Sequence, residues 1–200
     1  MSRLSENLTA DAGSGGASPA PEFSREERQT LLRIAHDSIL AALSNHSLPE
    51  APCSSHLSEL RGVFTTLYLR GALRGCVGYA LPVEPLYLAV AETARAAAFE
   101  DSRFWPVTQE EACDLELSLS VLSRLLPIRP DEVEVGRHGL VVSSGSRRGL
   151  LLPQVPVECG WDRETFLEQT CRKAGLPPHA WRRDVTLEAF TAEVFGDHEA

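Results

Sequence analysis

The sequence predicts an α+β fold, a mainly antiparallel sheet with flanking helices, on three observations. Residues 63–69 and 73–79 alternate with period two on either side of Arg70-Gly71-Ala72. Residues 139–142 and 149–152 do the same around Ser143-Ser144-Gly145-Ser146, so two hairpins are expected. Stretches of helical period fall between these strands without the regular strand–helix–strand order that builds a parallel sheet.

The first helix is signalled by Ser24 and Glu27, which have the spacing of a capping box. Leu31, Leu32, Ile34, Ala35, Ile39, Leu40 and Leu43 follow at helical spacing, taking it to about residue 43. Residues 44–60, with Pro49 and Pro52, read as a loop. In the first hairpin, Gly71 suits the first central position of a type II′ turn. That turn pairs Cys76 with Leu67, Arg74 with Leu69 and Gly75 with Tyr68. A helix follows Pro82, with Leu86, Ala89, Val90, Thr93, Ala94 and Ala97 on one stripe. Residues 114–121 alternate cleanly, turning Leu115, Leu117, Leu119 and Val121 inward. Asp162 caps a helix to about Ala174, and Gly175 stands where a C′ glycine belongs. One last strand runs from Val185 to about Phe195. The small, Pro/Gly-rich stretch at 10–21 has too little apolar surface to offset its ordering entropy. Residues 1–22 are therefore expected to be a disordered tail before a domain at 23–200.

Two hundred residues fit one domain, and 43% hydrophobic content supports a packed core. Nineteen basic against 28 acidic residues leave a formal charge of −9, which argues against nonspecific nucleic-acid binding. The sequence holds no apolar run long enough for a membrane helix and opens without a signal-peptide core, so the expected location is the cytoplasm. The five cysteines are odd in number and widely spread. No C-x-x-C pair or Cys/His cluster suggests a disulfide framework or metal site, and no nucleotide, serine-hydrolase or zinc-protease motif occurs. No metal or cofactor is expected.

The most informative segment is Leu73-Arg74-Gly75-Cys76-Val77-Gly78-Tyr79. Strict alternation puts Arg74, Cys76 and Gly78 on one strand face, and a guanidinium beside a thiol favours the nucleophilic thiolate. Gly75 and Gly78 would admit a ligand or another backbone. The competing reading makes Cys76 a small buried hydrophobe. A thiol nucleophile usually works with a base, and among six histidines His138, between glycines and just before a strand, is the best presented. Arg148 is a candidate anion ligand, against a solvated strand end. Asp101-Ser102-Arg103-Phe104-Trp105 reads as a charged tether with a packed tryptophan.

The segment 73–78 resembles the Leu-Arg-Gly-Cys-x-Gly hallmark of the AMMECR family. Collinear matches run through 97–104, 115–122, 136–140, 148–155, 161–167 and 171–177, so the resemblance covers roughly residues 24–195. It implies an α+β fold with a larger and a smaller subdomain around mainly antiparallel sheet, and a site at Arg74, Gly75, Cys76 and Gly78. Prokaryotic members include protein A of the AmmeMemoRadiSam system, encoded beside or fused to Memo-like and radical SAM proteins, which are the partners the resemblance implies. The expected function is a thiol-dependent component of a modification pathway, with Cys76, Arg74 and His138 catalytic and Gly75, Gly78 and Arg148 binding ligand. The alternative is a non-catalytic module that docks a ligand or protein on the Arg-Gly-Cys-x-Gly strand.

Overall fold

A computed structural model describes residues 21–44, 52, 54–183 and 185–198. Most of the expected tail, together with His46, Pro49 and Cys53, lies outside the described residues.

Helix α1 (Arg25–Ser44) starts as its capping box dictates: Glu27 N–H donates to Ser24 Oγ at 3.2 Å, and Ser24 N–H to Glu27 Oε2 at 3.0 Å. Ahead of it, Phe23 is buried against Phe195. Strands β1 (Val63–Leu69) and β2 (Ala72–Tyr79) form the first hairpin, and α2 (Leu86–Phe99) follows. A short turn α3 (Gln109–Ala112) leads into β3 (Leu115–Leu122). Next come β4 (Leu126–Pro127), the hairpin β5 (Gly139–Ser144) and β6 (Arg147–Leu151), α4 (Gln154–Glu158) and α5 (Arg163–Lys173). Asp162 caps α5 by accepting the Thr165 N–H at 2.8 Å, and Gly175 beyond it has φ +71°.

The expected last strand is two strands. β7 (Thr186–Phe190) and β8 (Ala192–Gly196) break at Thr191, which exchanges hydrogen bonds with Ser123 and lets the chain change sheets. Two antiparallel four-stranded sheets result, ordered β2-β1-β3-β8 and β4-β7-β5-β6. The fold is thus α+β, as expected.

Helices α1 and α2 cover one face of the first sheet and build the larger core around Leu31, Ile39, Leu67, Val90, Leu117 and Phe195. The alanines of α2 let it lie close to the strands, where a buried hydrogen bond at 2.8 Å joins Thr93 and Thr65. Helix α5 packs a smaller core on the second sheet through Phe166, Leu167 and Cys171. Leu122, Val141 and Phe190, with Phe64 against them, join the two sheets. In this joint two ring–glycine pairs face each other across their ladders, Phe64 over Gly78 and Phe190 over Gly139. A Cβ on either glycine would overlap the ring, so each glycine exists to seat an aromatic.

The first hairpin turns one residue earlier than expected. Arg70 (φ +53°) and Gly71 (φ +77°) are its two central residues and Leu69 pairs with Ala72. Positive φ at both is the type I′ signature, not II′. A bulge between Leu67 and Tyr68 then leaves Arg74 as an extra residue on β2, so Gly75 pairs with Leu67 and Cys76 with Thr66. The expected pairing of Cys76 with Leu67 is therefore corrected. One residue of slip moves a side chain to the other face. Leu67 faces the helices and is buried, whereas Thr66 lies on the face the helices leave uncovered.

Candidate functional site

Cys76 is half-buried on the outermost strand of the first sheet. Its Sγ accepts the Thr66 hydroxyl at 3.4 Å. Cys76, Thr66, Ser118 and Gly196 form one row across β2, β1, β3 and β8. At the far end of the row an open cavity of about 340 Å³ is lined by Tyr68, Glu116, Ser118, Val194 and His198, among others.

The backbone of Cys76 is held from the open edge. Its N–H donates to Asp101 Oδ2 at 2.9 Å and its carbonyl accepts from Arg103 Nη2 at 3.3 Å. Arg103 in turn grips Asp101 through Nε at 2.9 Å and Nη2 at 2.6 Å, and its own N–H reaches Asp101 Oδ1 at 3.1 Å. The Asp101 side chain is 7% exposed and Arg103's 56%. The Arg103 guanidinium, then the N–H groups of Cys76 and Arg103, hold the Asp101 carboxyl far below the ordinary carboxylate range against its burial. Asp101 likewise holds Arg103 above its ordinary value, opposed by desolvation, and Cys76 adds a smaller contribution in the same direction. The cation that touches Cys76 is therefore Arg103.

Arg74 has another partner. Its Nε and Nη2 donate to the two carboxylate oxygens of Glu111 at 3.2 and 2.9 Å, a bidentate pair that is largely buried. Glu111 also closes the capping box of α3 with Thr108, and Arg74 first, then the Thr108 N–H, lowers its pKa. The remaining Arg74 Nη1 is buried with no partner among the described residues. The bulge breaks the alternation on which a shared Arg74–Cys76 face depends, and Arg74 ties β2 to α3.

The glycines serve packing. A Cβ on Gly75 would overlap the Ala97 carbonyl, so α2 lies directly on β2 there. Gly78 is under the Phe64 ring. Both are close approaches of the protein to itself.

His138 and Arg148 belong to the second sheet. His138 precedes β5, its Nδ1 accepts the Glu134 N–H at 3.1 Å, and burial, followed by Arg137, holds its pKa below the ordinary value. Arg148 on β6 makes a long ion pair with Glu188 at 3.8 Å. Neither is brought to Cys76. Among the described residues, no histidine lies within hydrogen-bond reach of its sulfur. The Asp101–Arg103 tether exists as expected, but Trp105 is 88% exposed instead of packed. What sequence reasoning lacked was the destination of that tether: nothing in residues 101–105 says that it closes on a strand twenty-five positions earlier.

The family model described as AMMECR1 matches residues 32–195. A protein from Thermococcus gammatolerans is 46% identical over 179 residues, covering 82% of this chain and 87% of its own length. One from Methanopyrus kandleri is 42% identical over 186 residues, covering 87% and 90%. The crystal structure of an uncharacterized protein from Pyrococcus horikoshii superimposes with a TM-score of 0.62 at 42% identity, over 85% of this chain and 91% of that one.

Proposed function

This chain belongs to the AMMECR1 family, and from that premise we propose that it works through the Cys76 thiol as one component of a modification pathway. The observation that carries the reading is the support around that sulfur. Asp101 and Arg103 fix the Cys76 backbone from the open edge, Thr66 orients Sγ, and the side chain lies on the face that no helix covers. Arg103, its charge shared with Asp101, is the guanidinium held against Cys76, at that residue's carbonyl. In a covalent step the thiol proton passes to solvent, the sulfur lone pair forms an S–C bond to an electrophilic carbon, and the departing group leaves with the electrons of the broken bond. Arg74 and Glu111 act at a distance by holding β2 on α3, while Gly75 and Gly78 let Ala97 and Phe64 fix the strand. Memo-like and radical SAM proteins are the partners proposed, on the family resemblance, with a cytoplasmic location; among the described residues no helix is long and apolar enough to cross a membrane.

A second reading, a docking module without chemistry of its own, is favoured by one observation: among the described residues no histidine or carboxylate hydrogen-bonds the sulfur, which takes the Thr66 hydroxyl instead. Iodoacetamide alkylation of the folded protein at neutral pH, followed by peptide mass spectrometry, separates the two. Cys113 and Cys159 are exposed and serve as internal references. The thiol reading predicts that half-buried Cys76 labels faster than both. Labelling of Cys76 slower than both removes the nucleophile and leaves the docking module.

A further inference from the structure

The open edge of β2 is unevenly occupied. At Cys76 both outward backbone groups are taken, the N–H by Asp101 and the carbonyl by Arg103. Pairing alternates along an antiparallel ladder, so Gly78, two residues on, also turns its N–H and C=O away from β1. No side chain or loop among the described residues takes those two groups.

Apolar side chains are exposed on the segments that adjoin this strand. Leu73 on β2 itself is 44% exposed, Val83 just beyond its end 66%, and Trp105, on the loop that carries Asp101 and Arg103, 88%. An unpaired strand edge flanked by apolar side chains is a template for an added strand. The local charge is negative. Glu84, Glu92 and Glu100 border this end of β2, and the Tyr79 hydroxyl donates to Glu92 at 3.3 Å. Of the nearby cations, Arg95 pairs with Glu100 at 3.8 Å and Arg103 with Asp101. Burial first, then the charge of Glu92, keeps both Tyr79 and Glu84 above their ordinary pKa values.

We propose that the outer edge of β2 at Gly78 is a docking site for an extended basic segment of a partner protein. The segment adds as a further strand, hydrogen-bonding Gly78, laying apolar side chains against Trp105 and Val83 and turning a Lys or Arg toward Glu84 and Glu92. This contact goes beyond the thiol reading and makes no use of the sulfur.

The probe is a capped peptide of alternating lysine and valine, about eight residues long, titrated into the full chain. Binding is expected to slow hydrogen exchange at the Gly78 amide. Replacing its lysines by glutamate, or Trp105→Ala in the protein, is expected to weaken binding about tenfold. Methylating alternate backbone nitrogens of the peptide is expected to abolish it. Unchanged exchange at Gly78 under saturating peptide overturns the proposal, as does equal affinity for the glutamate or N-methylated peptide.

Discussion

Asp101 accepts the backbone N–H of Cys76 at 2.9 Å, and the arginine it grips, Arg103, closes on the carbonyl of the same residue. A side-chain couple thereby does for an edge strand what a neighbouring strand would do. It satisfies both outward groups of one residue, which blunts the edge there and fixes the direction in which that residue points. The residue so held carries the thiol.

Asp101→Asn is expected to destabilise the protein by about 1–3 kcal/mol, because a buried charge-assisted hydrogen bond becomes a weaker neutral one. Its pH dependence has a definite sign. The Asp101 carboxyl lies well below its ordinary value of 3.8 in the folded chain. Its contribution is thus complete above that value and disappears as pH falls through it toward the folded pKa. Urea denaturation should show the gap between wild type and variant constant above about pH 5 and narrowing in stronger acid. A gap unchanged at the acid end contradicts the ion pair.

Gly75 and Gly71 offer a contrast within one hairpin. Gly75→Ala drives a methyl group into the Ala97 carbonyl, where backbone must move, and should cost about 1–3 kcal/mol or more. Gly71 has open space around it but φ +77°, so Gly71→Ala should cost only about 1 kcal/mol of backbone strain. Equal losses in chemical denaturation would mean that α2 does not rest on β2 as described.

Legibility in the sequence followed the range of the interactions. Ser24 with Glu27, Asp162 and Gly175 are local signals and each did what its spacing predicts. The alternation of 114–121 identified the strand observed at Leu115–Leu122 with its buried face. The site was legible only in part, because Gly71 fits either of two turn types and nothing at Arg74 marks a bulge. Those two details decide whether Cys76 faces Leu67 or Thr66. The break at Thr191 was hidden for a related reason: its partner is Ser123, far along the chain. The Asp101–Arg103 couple was visible as a pair, but its target was not.

His138 gives a prediction independent of Cys76. Burial lowers its pKa in the folded chain, so the unfolded chain binds the proton more readily. Stability linked to this group is complete above the ordinary histidine value of about 6.5 and is lost as pH falls below it. The stability of His138→Gln should therefore decline less steeply than that of wild type between about pH 7 and 5. Parallel curves would place the ring in water.

The central claim is that Arg103, and not Arg74, is the cation serving Cys76. The most direct test is the alkylation rate of Cys76 by iodoacetamide at neutral pH in wild type, Arg103→Gln and Arg74→Gln, each confirmed as folded by circular dichroism. The account predicts a rate about tenfold lower in Arg103→Gln, where the guanidinium held at Cys76 is gone, and less than about a twofold change in Arg74→Gln. A loss of reactivity in Arg74→Gln with none in Arg103→Gln would contradict it.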